Sequence, residues 1–269
     1  MEAGRVSMTD IADMDVPEAS PLPEIWQLTM ADLRAALRAG IADFRRAPQF
    51  GLFFSAVYVV GGFLMVWLGA GHVTWTLVTS LGFPLAAPFA AVGLYEVSRR
   101  LERGQPLDWS GVLGVVWTER TRQIPWMGAI IVIYFLFWTF LAHMIFALFM
   151  GLSAMTNIST SWEAFFTQAG LTMIAVQFGV GGVLAFLLFA MTVVSLPLLL
   201  EKEVDFVSAM LLSIRTVGEN PVVMAVWALV IAVLTLAALV PWFLGLVVVL
   251  PVLGHATWHL YRRALHDPV

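Results

Sequence analysis

The stretch DFVSAMLLSIRTVGENPVVMAVWALVIAVLTLAALV, residues 205–240, holds two patterns end to end. Its first part opens on an acid, puts Phe206, Met210, Ile214 and Val217 on one helical face, and closes on Pro221. That is the pattern of an amphipathic helix, with proline at the start of the next one. Its second part, 222–240, carries no ionisable residue. At 1.5 Å per residue such a run covers about 30 Å, the thickness of a bilayer's hydrocarbon core. The reading is an interfacial helix that feeds a transmembrane one.

Two more stretches share this design. DLRAALRAGIADFRRAP, 32–48, starts on Asp32, ends on Pro48, and carries Leu33, Leu37, Ile41 and Phe44 at the offsets of Phe206, Met210, Ile214 and Val217. The stretch 108–125 is one residue longer, with Trp109, Leu113 and Trp117 at the first three offsets and Arg120 at the fourth. Each leads into two apolar runs: 50–70 and 74–95, 124–150 and 169–200, 222–240 and 242–260. The second run of each pair has a late proline: Pro88 with Pro84 before it, Pro197, and Pro251. Aligning Pro88 with Pro251 brings Arg99-Arg100 onto Arg262-Arg263, His255 onto Val92 and His259 onto Glu96. The expected fold is an all-α polytopic membrane protein. Its six transmembrane helices form three parallel repeats of amphipathic helix plus hairpin, 32–100, 108–203 and 205–263, around an axis along the membrane normal.

Composition agrees with that class. Hydrophobic residues make up 60% of the 269 and charged residues 12%, a balance that belongs to a bilayer protein. The arginines sit in small groups beside apolar runs, with no continuous basic face, so no nucleic-acid partner is expected. With no cysteine there is no disulfide, thiolate nucleophile, iron–sulfur cluster or covalently attached haem. Residues 1–23 are acidic, with Asp10, Asp13, Asp15 and Glu18 where a signal peptide needs cations and an apolar core, and read as a disordered tail before a membrane domain spanning 24–269. All fourteen Lys and Arg fall before the first span, between spans two and three, between four and five, or after six. Cations stay on the cytoplasmic side, so both termini are expected there.

Few residues could carry chemistry. His255 and His259, four apart, share a helical face as a two-histidine metal pair would, but no third ligand accompanies them. The plainer reading is an interface pair reaching headgroups beside Trp258 and Tyr261. Glu96 lies three and four residues before Arg99 and Arg100, the spacing of a local salt bridge, with an ion ligand as the alternative. Glu96, His255 and His259 together are the candidate polar cluster. His143 and Gln177 are the intramembrane polar residues, and His143 is expected to pack by one hydrogen bond to a neighbouring helix. Ala175/Gly179 and Gly181/Ala185, with Gly61-Gly62, read as helix-packing faces. The sequon Asn157-Ile158-Ser159 carries no weight. There is no phosphate loop, catalytic triad or carboxylate pair, so an enzyme, a cofactor and a bound metal are all unexpected.

The segments GLYEVSRRLERGQP at 93–106, TVVSLPLLLEKEVDFVSAM from Thr192, and LPVLGHATWHLYRR near the end resemble the bacterial integral-membrane family catalogued as domain of unknown function 2189. The family has no established activity, and some members carry a cytochrome c oxidase subunit label. A haem–copper catalytic subunit has about twelve spans and six ligating histidines; this chain has 5 histidines, with His72 and His266 outside the runs. The resemblance therefore implies at most an accessory or assembly role beside other membrane subunits of a respiratory oxidase. The alternative is a small-solute or lipid transporter with a cavity between three hairpins. It would need its polar residues, Glu96, His143, Gln177, His255 and His259, to converge. The three-hairpin mitochondrial carriers share the outline, but their Pro-x-acid-x-x-base motif is missing, since Ala90 and Gly93 follow Pro88 at those positions.

Overall fold

The computed structural model describes residues 21–67, 73–151 and 162–267. The tail up to residue 20, the expected loop at 71–72 and the sequon at 157–159 lie outside the described residues.

Helix α1 (Met30–Arg46) begins before Asp32, where the repeat pattern placed its start. Thr29 is the N-cap, and Thr29 and Asp32 close a reciprocal capping box that satisfies both backbone N–H groups. Pro48 opens α2 (Pro48–Trp67), and the two helix axes turn by 99°. Next come α3 (Val73–Glu102), α4 (Trp109–Glu119) capped by Asp108, and α5 (Ile124–Met150) with proline in its first turn. A short 3-10 turn, Trp162–Phe166, precedes α6 (Gln168–Thr192), and α7 (Ser195–Glu201) continues α6 after a break. Then follow α8 (Phe206–Glu219) capped by Asp205, α9 (Pro221–Leu239) and α10 (Leu246–Ala264). Helix α10 starts later than the apolar run at 242 suggests. Trp242 and Phe243 take left-handed backbone angles, φ 54° and 64°, and spend the first residues of that run on the reversal.

By length and composition, three helices among the described residues can cross a membrane: Ile124–Met150, Gln168–Glu201 taking α6 and α7 together, and Pro221–Leu239. The bent pair Met30–Arg46 with Pro48–Leu64 is a fourth candidate. Helices α2, α3 and α10 coincide with the other three apolar runs of the sequence, although α10 carries His255, His259, Arg262 and Arg263 in its second half.

Helices α3, α7 and α10 pack against one another in the middle, and Pro88, Pro197 and Pro251 are all buried there. Around them, α2 lies against α3 and α10, α5 against α3 and α6, and α9 against α10. The three helices read as amphipathic each lie on a neighbour: α1 on α10, α4 on α3, and α8 on α6 and α7. The main apolar cluster encloses Trp227, Trp258, Ile124, Met127 and Leu198, and two smaller clusters hold α2, one with α3 and α4 around Phe50 and Phe54, the other with α9 and α10 around Val59.

The inward face of α1 differs from the expected Leu33–Leu37–Ile41–Phe44 stripe. Leu33, Ala36, Gly40 and Asp43 are the buried residues, and Leu37, Ile41 and Phe44 form a half-buried flank. Small residues decide this, because only they let the backbone come close to α10. In α8, too, Ala209, Ser213 and Thr216 are buried at those shifted offsets, while Ile214 is exposed. Trp109, Leu113 and Trp117 of α4 are likewise exposed.

Ser213 does more than fill space. Its hydroxyl donates to the Ala190 carbonyl at 2.7 Å and accepts the Val194 N–H at 3.1 Å. Those two groups would otherwise bond to each other within a helix, so an inserted hydroxyl accounts for the break between α6 and α7.

The ends of the described chain meet. Glu24–Ile25 (β1) and Leu265–His266 (β2) pair antiparallel, and Trp26 donates its N–H to Ala264 and stacks on His266 at 4.1 Å. Buried Asn220, between α8 and α9, accepts the Leu28 N–H at 2.6 Å and donates to the Trp26 carbonyl at 3.1 Å.

Candidate functional site

Helices α3, α7 and α10 pack on one another, and the second halves of α3 and α10 bear buried Glu96 and His255, with buried Asp43 beside them on α1. Glu96 of α3 is 1% exposed and lies between two guanidinium groups of its own helix, Arg99 at 2.5 Å and Arg100 at 2.7 Å. Arg99 also donates to the Leu200 carbonyl, and Arg100 to that of Pro106. The spacing that suggested a salt bridge thus makes one, inside the protein and not at a headgroup surface.

The histidines differ from expectation more sharply. His255 is completely buried, and its Nδ1 shares a 2.8 Å hydrogen bond with Ser98 of α3. Its Nε2 is enclosed and has no partner among the described residues. His259 donates through Nε2 to Asp43 of α1 at 2.7 Å, and Asp43 is itself buried. Neither histidine reaches outward to headgroups, because α1 and α3 cover the face that they share.

Glu96 does not join them. It stands two residues from Ser98, about half a turn around α3, so it points away from the His255 contact. The three candidates therefore lie on adjoining helices, yet each bonds to a different partner. No group of three or more His, Cys, Asp or Glu among the described residues is arranged to hold a metal.

Past these residues the layer continues toward solvent. Glu102 accepts from the Trp258 indole at 3.0 Å and from Arg262 at 3.3 Å. Glu201 of α7 accepts from the Tyr261 hydroxyl at 2.7 Å, from Arg262 at 3.1 Å and from Arg103 at 3.2 Å. Burial and the Glu201 carboxylate push the Tyr261 hydroxyl well above the ordinary phenol range. Burial draws the Arg262 guanidinium down, but Glu201 and Glu102 more than reverse this and leave it raised. A cavity of about 160 Å³ opens beside this group, lined by Glu201, Lys202, Tyr261, Arg262, His266 and Asp267 among others. Lys202 pairs with Asp267 across it and holds that carboxyl below its usual value.

The remaining candidates lie elsewhere. His143 is exposed on the flank of α5 and its Nδ1 bonds to the Thr139 carbonyl one turn back, with no bond to a neighbouring helix among the described residues. Gln177 of α6 donates to the Ala142 carbonyl of α5 at 3.2 Å and serves as a clamp between the two helices. Gly181 faces Trp138, whereas Gly179 and Gly182 have open space beside them.

Asp43, Ser98, Glu102 and Glu201 complete this layer and were not singled out in the sequence. Asp43 had a signal: it extends the small-residue stripe Ala36–Gly40 by one turn, and a carboxylate on an inward face needs a partner.

Residues 76–201 match the model of a family described as predicted integral membrane protein (DUF2189). The matched segment runs from α3 to the end of α7 and includes Glu96, Ser98, His143 and Gln177, while His255 and His259 lie beyond it. No curated protein and no solved structure matches the chain.

Proposed function

We propose that this is a six-span inner-membrane protein without a catalytic centre, acting as an accessory, assembly or scaffold component beside other membrane subunits, such as those of a respiratory complex. One observation carries this reading. The polar candidates each tie one helix to another or to its own next turn, as in Ser98–His255, Asp43–His259 and Glu96 with Arg99 and Arg100, and Glu96, His143, Gln177, His255 and His259 do not meet one another among the described residues. A transporter would need Glu96, His143, Gln177, His255 and His259 along one path, and their partners point them in different directions.

The three-repeat reading rests on the packing order. Each interfacial helix lies on the second helix of the preceding hairpin: α4 on α3, α8 on α6 and α7, and α1 on α10, which closes the circle. Helices α5 and α9 turn broad apolar surfaces outward, including Phe137, Phe140, Leu148, Leu229 and Leu236, where lipid or a partner subunit would lie.

Gentle solubilisation followed by identification of co-purifying proteins tests the role, and a strictly solitary protein would count against it. Topology is tested separately. The chain has no cysteine, so single cysteines at Arg103 and at Ser153 should react with an impermeant maleimide from opposite sides of the membrane.

A further inference from the structure

Outside α1, every described arginine except Arg120, which lies over the Trp117 ring, pairs with a carboxylate, and the arginines of α1 do not. Arg99, Arg100, Arg103, Arg122, Arg215, Arg262 and Arg263 all have a carboxylate within 4.0 Å. Arg34, Arg38 and Arg45 are exposed and make no ion pair or hydrogen bond to another described residue. The two acids of α1 do not serve them: Asp32 is used by Thr29 and Arg263, Asp43 by His259.

Their position follows from the helix. With α2 crossing the bilayer, the 99° turn at Ala47 lays α1 along the membrane plane. Leu33, Ala36, Gly40 and Asp43 face α10. About a quarter turn on come Leu37, Ile41 and Phe44. The Phe44 ring lies against Gly51 of α2, which puts this flank on the bilayer side of α1. About another quarter turn on come Arg34, Arg38 and Arg45, turned away from the protein at the edge of that flank. Three unpaired guanidiniums are thus held where an amphipathic helix meets lipid headgroups, with a fork of N–H donors that suits phosphate oxygens.

We infer that the outer edge of α1 binds the headgroups of anionic phospholipids through Arg34, Arg38 and Arg45. The helix is then seated from two sides: by α10 through its small residues, and by acidic lipid through its arginines. This inference rests on α2 crossing the bilayer.

The test uses the whole chain in nanodiscs of equal parts phosphatidylcholine and phosphatidylglycerol, with retained lipids counted by native mass spectrometry after release. The wild-type chain should retain phosphatidylglycerol preferentially. The triple variant Arg34→Gln, Arg38→Gln, Arg45→Gln should reduce that preference by at least about tenfold, since each cation near an anionic surface contributes on the order of a fivefold factor. Arg215→Gln on α8 should leave the preference unchanged, and millimolar inorganic phosphate should not compete. An undiminished preference in the triple variant overturns the inference. So does competition by free phosphate, and so does loss of a co-purifying protein from the triple variant with its lipid content unaltered. Retention of neither lipid by the wild-type chain would instead remove the underlying premise that α2 spans the membrane.

Discussion

Gly40 of α1 and Ala256 of α10 bring two helix backbones into direct contact: a Cβ on Gly40 would stand 2.6 Å from the Ala256 nitrogen and 2.7 Å from the Val252 oxygen. Main-chain atoms cannot swing aside as a side chain can. Gly40→Ala should therefore push the helices apart and cost about 1–3 kcal/mol, read as a lower midpoint of thermal unfolding in detergent. Gly114 on α4 has open space around it. Gly114→Ala should leave the midpoint unchanged or raise it, because alanine is the better helix former by about 1 kcal/mol.

Glu96→Gln tests the buried carboxylate. The substitution keeps the shape but leaves Arg99 and Arg100 without their shared counter-charge, at a cost of roughly 1–3 kcal/mol. Glu219 pairs with Arg215 at 3.6 Å on the surface, and Glu219→Gln should change stability by less than about 0.5 kcal/mol. Equal effects from the two variants would mean that burial adds nothing to the Glu96 pair.

Ser213→Val should destabilise the junction of α6 and α7. Valine removes the hydroxyl that serves both Ala190 and Val194 and holds the space open with methyl groups, so two buried backbone groups lose their partner. A loss of about 1–3 kcal/mol is expected, together with faster amide hydrogen exchange at Val194. Ser213→Thr, which keeps the hydroxyl, should restore most of the protection.

Asp32, Asp108 and Asp205 hold their carboxyls below the usual carboxylate range, through hydrogen bonds from Thr29, from Ser110 and Gly111, and from Ser208. The folded chain therefore binds these protons less readily than the unfolded one. Their contribution is present above the ordinary carboxylate value of about 3.9 and is lost as pH falls through the lowered native values, so it fades below about pH 4. Glu119 acts with the opposite sign, since burial raises its carboxyl despite Arg122. Unfolding midpoints measured from pH 5 to pH 3 should fall less steeply for the triple Asn variant at the three aspartates than for the parent chain.

The helices were legible because their signals are local. Proline at 48, 125 and 221 sits at the start of a long helix, and the acids at 108 and 205 cap the helices expected there. Which face turns inward was not legible from the large apolar residues. Close approach selects small ones, and Ala36, Gly40 and Asp43 are inward because α10 lies against them, a fact that no spacing within α1 contains. The polar layer was half visible for a related reason. Glu96 with Arg99 and Arg100 is a contact within one helix, whereas His255–Ser98 and His259–Asp43 join residues 157 and 216 positions apart.

The contact between α1 and α10 also has a consequence for the order of synthesis. Among the described helices α1 is made first, and α10, the surface it packs on, is made last. Until α10 is made, Leu33, Ala36, Gly40 and Asp43 lack the surface that buries them in the folded chain. The seat of α1 is therefore a contact that can form only after all the described helices between it and α10 have been made.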